Sequence, residues 1–363
     1  ALMGMVTKYS EIVLSIKYRE RNDHGDWVGG PMYYIKNGMG KHWKWLGSLF
    51  CLFAMLASFG IGNGAQANSI VGSIYNAITT FVPSADNAHS RFLISLVCGV
   101  IMAFLVALIL FGGIKRIGAV TEKLIPFMSL FYILFTLIVI GAHAGNIGKA
   151  FQLIFASAFT PEAVLGAGSG ILLKQTIIWG MRRSAFSNEA GLGSAAIAHA
   201  AADTDGPVHQ GVFGIFEVFV DTIVICSLTA LTIICSGVEI PFGVKPGSEL
   251  IMQAFATVFG ARFASLFVAF ALMLFAFSTI VGWSLYGTRC TQFLFGLKAT
   301  KLFQGAFIVV VVLGSVASLD TVWDVADTFN GLMAIPNFIA VFALSGVVAK
   351  ETRKFFSNPL RKD

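Results

Sequence analysis

A chain of 363 residues with 56% hydrophobic and only 12% charged residues cannot clothe itself in polar groups as a soluble domain with roughly a quarter charged residues does, so its solvent is expected to be lipid. The net charge of +6 arises from Lys and Arg gathered in alternate links between apolar runs, a topological pattern that sets aside nucleic-acid binding.

Ala1 to Ile16 is apolar from the outset and lacks the basic region, apolar core and cleavage site of a signal peptide. It reads as the exit half of a helix that begins upstream, so the chain is expected to be a fragment lacking its N-terminus. Gly29 to Tyr34 follows a charged loop and precedes a stretch rich in Trp and Lys, which suits an interfacial segment or an ordinary cytoplasmic loop. Uncharged runs extend from Trp45 to Ala85, Phe92 to Ile114, Leu124 to Gly148, Phe263 to Thr288, Leu302 to Leu319 and Gly331 to Ala349. Each is near or above the ~20 residues needed to cross a bilayer as a helix. With Ile171 to Ala202 and Val208 to Gly237, which hold few ionisable residues, eight full spans are predicted. Gly145 to Gly170, broken by Pro161 and several glycines, is expected to form an external interfacial helix, and Val238 to Gly260, with Pro241, Pro246 and Glu249, a second external segment. Sustained apolar helices without alternating ten-residue segments exclude a membrane β-barrel. The fold class is therefore all-α, a polytopic membrane helix bundle forming one transmembrane domain over residues 1–363.

Taking alternate links as one side places seventeen basic residues there and four (Arg91, Lys149, Lys245 and Arg262) on the other. The basic side, and with it the C-terminus, is expected in the cytoplasm. The five cysteines stand singly and the six histidines form no paired ligand set, so packing and loop roles are expected of them. HExxH and GxSxG are missing from the sequence, as are a convincing Ser/His or paired-aspartate set and a phosphate loop, so the reading is not an enzyme.

Four polar islands interrupt the apolar runs. Phe186 to Ser194 (FSNEAGLGS) sets Glu189 beside Asn188, Gly191 and Gly193 in the middle of an apolar stretch. A carboxylate at membrane depth costs roughly 2.5–3.5 kcal/mol and needs a cavity or partner. Asn and Gly oppose a helix, so a break is predicted, with main-chain groups freed for an amino acid and a cation; close helix packing through small residues is the alternative. Ser278 and Thr279, followed by Trp283, offer adjacent hydroxyls suited to sodium or simply bonded to their own helix, and Trp283 walls a pocket or packs. Asn63, Gln66 and Asn68, among Gly60, Gly62 and Gly64, line a substrate path or join helices; the glycines follow no strand, so nucleotide binding is dismissed. Glu217 and Asp221 share one helix face as an ion or proton route, or pair with Arg182 or Arg183.

These islands, in this order, resemble the alanine or glycine:cation symporter family, a branch of the amino acid-polyamine-organocation transporters. The matching stretches are Gly29 to Tyr34, Ser58 to Ser69, Arg183 to Ala198, Pro207 to Gln210 with Asp221-Thr222, and Asn330 to Met333 with Pro336-Asn337. The opening Ala1 to Gly4, followed by Lys8 and Glu11, looks like the tail of the family's signature helix. The resemblance implies a LeuT-type inverted repeat with discontinuous helices, whose first helix, with its unwound centre, would lie upstream and is absent. It implies that Phe186, Asn188 and Gly191 to Gly193 contact substrate, that Thr279 and Trp283 flank it, and that Ser278 with Thr279 ligate sodium. It also implies Na⁺-coupled symport of alanine or glycine into the cell across the plasma membrane, with no organic cofactor. An uncoupled channel or facilitator is the alternative, and Glu189, Glu217 and Asp221 leave proton coupling open.

Overall fold

A computed structural model describes residues 1–23, 25–159, 170–240 and 247–357, which form a bundle of helices. Helix α1 (Leu2–Lys17) leads through a two-stranded hairpin, Glu20–Arg21 against Trp27–Val28, to the short α2 (Pro31–Tyr34), opened by a proline where a missing N–H is harmless. Helices α3 (Lys44–Phe59) and α4 (Ala65–Phe81) run through one π turn, Gly60–Gly64, as a single span. There follow α5 (Ala88–Leu110), α6 (Gly113–Ala142), α7 (Ile147–Phe159), α8 (Gly170–Asn188) and α9 (Ser194–His199). Helix α10 (Pro207–Val218) continues through a π segment, Phe219–Cys226, into α11 (Ser227–Ser236). The series ends with α12 (Glu249–Phe259), α13 (Ala261–Phe295), α14 (Leu297–Val316), α15 (Leu319–Ala343) and α16 (Ser345–Phe356).

The central element is α13, which packs along α3 and α4 and also touches α6, α12 and α14. Around it lie two apolar clusters, one holding Trp283 with Ile61, Met32, Leu192 and Met333, the other Phe307 with Ile280, Ile70 and Val106. Helix α1 lies against α10 and α9, and α15 against α3 and the π turn. Outward faces are bare hydrocarbon: Phe104, Leu130 and Leu302 are 63%, 71% and 80% exposed, a surface suited to lipid rather than water.

Among the described residues six helices are long and apolar enough to cross a membrane, or seven when Asp327–Ala343 and Ser345–Phe356, bent by 56°, count as one span. The protein is a multi-pass membrane helix bundle, with fewer clean spans than the eight expected. The loss falls on Ile171 to Ala202, where the ladder stops at Asn188 and restarts at Ser194: α8 carries Lys174, Arg182 and Arg183, too many charges for a clean span, and α9 is too short. Gly29 to Tyr34 is packed into the protein rather than lying on its surface. Met32 and Tyr34 are fully buried, and a Cβ on Gly29 would lie 2.6 Å from that of Ala200. The glycines let this segment reach the helix wall, while the following Trp43 and Trp45 remain exposed. Helix α7 exposes Phe151, Leu153 and Phe155; the rest of that predicted segment, 160–169, and Pro241 with Pro246 lie outside the described residues.

Candidate functional site

The break between α8 and α9 follows from its residues. The Asn188 side-chain oxygen accepts the Ala190 N–H at 3.0 Å, a local turn that competes with the helix. Glu189 then takes φ +57°, the one positive φ of a described non-glycine residue, and Gly191 and Gly193 take +89° and +77°. Only glycine adopts that region freely. Both positions are also crowded: a Cβ on Gly191 would lie 2.6 Å from the Phe338 ring, and one on Gly193 2.5 Å from the Pro31 ring.

The sequence suggests that a break leaves main-chain groups bare. Here they are taken up by side chains of α1 and α15. Lys8, 6% exposed, donates to the Asn188 carbonyl at 2.9 Å and pairs with Glu217 at 3.0 Å. The Gly191 N–H donates to Glu11 Oε1 at 3.0 Å. Asn337 donates to the Gly191 carbonyl at 2.9 Å and to the same Glu11 oxygen, and itself accepts from the Tyr34 hydroxyl. Lys8, Glu11 and Asn337 are the site residues that reading the islands missed. The signal was present, since Lys8 and Glu11 are two charges three residues apart in an apolar helix, the same signal that drew attention to Glu189.

Glu189 is held on both oxygens: Trp283 Nε1 donates to Oε1 at 2.8 Å and Ser194 Oγ to Oε2 at 2.6 Å. Trp283 is 2% exposed and sits on Gly62, where a Cβ would be 2.3 Å from its own. The glycine-rich island is thus a seat for Trp283 on one side and, through Gly64, for Gly314 on the other. Phe186 packs on the cluster that holds Trp283 and Leu192.

Other predicted site residues have separate partners. Asn63 donates to the Phe307 carbonyl at 2.7 Å and Asn68 to that of Ala317 at 2.8 Å, so both join α4 and its π turn to α14. Gln66 donates within its own helix region, to the Ile61 carbonyl at 3.1 Å. Ser278 and Thr279 both donate to the Phe275 carbonyl, at 2.8 and 3.0 Å, with Ser278 also facing Met128. Glu217 and Asp221 belong to one network, since Lys8 bridges Glu217 to the Asn188 carbonyl and the Asn188 amide donates at 2.9 Å to Thr222, which donates to Asp221; neither pairs with Arg182 or Arg183 in the bonds observed. Glu217 meets Lys8 and His199, whereas Asp221 accepts from Ser187 at 2.7 Å and Thr222 at 2.9 Å. Both carboxylates thus reach the start of the break, Glu217 from α10 and Asp221 from the π segment that continues it. Arg183 pairs instead with Asp327 at 3.3 Å. Two clefts, one beside Tyr75 and Arg91 and one beside Pro207 and Lys354, lie away from the break.

Comparison with known proteins gives this geometry a context. The sodium/alanine symporter AgcS of Methanococcus maripaludis is 42% identical over 368 residues, covering all of this chain and 76% of the relative. The amino-acid carrier protein AlsT of Bacillus subtilis is 36% identical, covering 96% of this chain and 70% of its own length. The probable sodium/glutamine symporter GlnT of Bacillus subtilis is 35% identical, covering 96% and 68%. The family model described as the sodium:alanine symporter family matches residues 1–362, and its members are transporters rather than enzymes. By extent of match and by identity, the chain belongs to the sodium:alanine symporter family.

Proposed function

We propose that the protein is a secondary active transporter that couples sodium entry to uptake of a small neutral amino acid, alanine or glycine, by alternating access. The observation that carries this is the break at Asn188–Gly193, where main-chain groups released from a helix are held by side chains from two other helices. Such bonds can be exchanged for those of a ligand without unfolding a helix, which is how an unwound segment serves a transported zwitterion. Phe186, Asn188, Gly191, Gly193, Thr279 and Trp283 form the substrate site in this reading, with Asn63 and Gln66 along the approach. Ser278 and Thr279 ligate sodium: each hydroxyl donates to the Phe275 carbonyl and so presents its lone pairs outward. The family description and the relative named a sodium/alanine symporter support the choice of ion and substrate.

The same reading makes residues 1–363 one transporter domain of LeuT-type fold, in the plasma membrane with the C-terminus cytoplasmic. Sodium binding would favour the substrate-bound occluded state by its differential affinity for it. One further observation favours a second reading: Glu189 and Glu217 both lie beside the break, as a proton-coupled symporter would need. Uptake of radiolabelled alanine into proteoliposomes decides. An inward sodium gradient should drive accumulation. Flux indifferent to sodium would overturn the proposal in favour of a facilitator, and accumulation driven by a proton gradient alone would favour the second reading.

A further inference from the structure

Besides Asp221, which meets the break through Ser187 and Thr222, three carboxyl groups converge on it around Lys8: Glu11 from α1, Glu189 within it and Glu217 from α10. His199 touches the cluster at Glu217, and Tyr34 and Asn337 complete its polar wall. Were all three carboxyls ionised, Lys8 would leave two negative charges uncompensated in a buried pocket, a costly arrangement. One bound proton halves that excess.

The three are not equivalent acceptors. Glu217 is the most exposed, at 44% of its side chain, and is paired with both Lys8 and His199. Glu189 has a donor on each oxygen. Glu11 is fully buried; its Oε1 takes the donors from Gly191 and Asn337, while its Oε2 accepts from nothing. A bare anionic oxygen is the least tolerable state there, and a neutral acid with its proton on Oε2 leaves every contact of Oε1 unchanged. A metal cation fits less well, because the neighbouring Asn188 and Gly191 carbonyls and the Asn337 oxygen already accept from Lys8, Asn337 and Tyr34.

We infer that Glu11 is a proton-binding site: Oε2 carries a proton while the broken segment is packed against α1, and gives it to water when that segment opens. The proton comes from water and returns to water, and no other group changes its charge. Because Oε1 holds the Gly191 N–H, proton occupancy and the shape of the break are linked. The consequence for alanine rests on the transport reading above; the protonation itself does not.

Two measurements test this on the intact protein in lipid. Infrared spectra at neutral pH should contain the carbonyl stretch of a protonated carboxylic acid that disappears in Glu11→Gln. Spectra identical in that region would overturn the assignment. If Glu11→Gln does not fold, Glu11→Asp serves instead, a displaced band supporting the assignment and an undisplaced one overturning it. In the transport reading alanine takes the place of the Glu11 and Asn337 contacts at the break, so its binding releases the proton, and alanine affinity at saturating sodium should strengthen as pH rises, by up to about tenfold per pH unit, the limit for one linked proton. Glu11→Gln should flatten that profile, and retention of the full wild-type slope would overturn the inference. The infrared band requires no alanine, so failure of this assignment and failure of the transport reading register in separate experiments.

Discussion

Gly193→Ala examines the break directly, because two separable costs meet there. The first is conformational: φ of +77° lies in the left-handed region, where a side chain costs roughly 1–2 kcal/mol. The second is steric: a Cβ would stand 2.5 Å from Pro31 Cγ and 2.9 Å from the Asn337 amide, and overpacking of this kind costs about 1–3 kcal/mol. A proline ring cannot rotate away, and Asn337 is held by Glu11, Gly191 and Tyr34, so neither neighbour gives cheaply. The two add to roughly 2–5 kcal/mol. Gly237→Ala is the control, since Gly237 has φ +72° and no atom within 4 Å of the added Cβ, leaving the conformational cost alone. Thermal unfolding of both variants in the same detergent, with alanine binding by calorimetry, separates the terms. Gly193→Ala should melt clearly below Gly237→Ala and bind alanine more weakly, whereas Gly237→Ala should bind as wild type does. Equal melting of the two would show that the close approach to Pro31 and Asn337 contributes nothing, and the account of the break would be wrong.

Trp283→Phe keeps an aromatic ring on Gly62 but removes the donor to Glu189 Oε1; a hydrogen bond to a charged group is worth about 1.5–3 kcal/mol, and both stability and alanine affinity should fall. A variant with unaltered alanine affinity would remove Trp283 from the site. Lys8→Ala strips the Asn188 carbonyl and Glu217 of a shared donor, but since Glu217 is 44% exposed the loss should be about 1–3 kcal/mol, below the 3–5 kcal/mol of a fully buried pair. In a double-mutant cycle, Lys8→Ala with Glu217→Ala should cost less than the sum of the two, and strict additivity would dissolve the pair. Thr279→Val should weaken the sodium dependence of alanine binding more than it lowers the melting temperature, and unchanged sodium affinity in a folded variant would rule it out as a ligand. Outside the membrane, burial raises the Glu20 carboxyl, but donors from Lys36 at 2.9 Å and Asn37 at 2.8 Å outweigh it and hold the group below its ordinary value of 4.5. The stabilisation is therefore complete at neutral pH and lost as pH falls through the lowered value. At this exposed site it amounts to about 0.2–1 kcal/mol, and hydrogen exchange in the hairpin should become insensitive to acid in Glu20→Gln.

The break was legible from residue types because its cause is local. Asn188 bonds its own main chain, Gly191 and Gly193 accept left-handed angles, and a carboxylate among them needs partners. Lys8 and Glu11 stand out as charges in an apolar helix, but that they and Asn337 hold the break was not legible, because all three sit in helices far away along the chain and spacing says nothing about such contacts. The amides of Asn63 and Asn68 illustrate the same limit: the residues that suit a substrate path equally suit a seam between helices. The structure adds the bonds to the Phe307 and Ala317 carbonyls and the close approach of Gly64 to Gly314, contacts that only packing reveals. Glu217 and Asp221 could be read as neighbouring carboxylates four residues apart, but their connection through Lys8, Asn188 and Thr222 could not, because it again runs through distant stretches of chain. A charge inside an apolar helix is therefore to be matched with main-chain groups that have lost their partners elsewhere. By that rule Lys8 belongs to the Asn188 carbonyl and Glu11 to the Gly191 N–H, and α1 becomes half of the site rather than a neighbour of it.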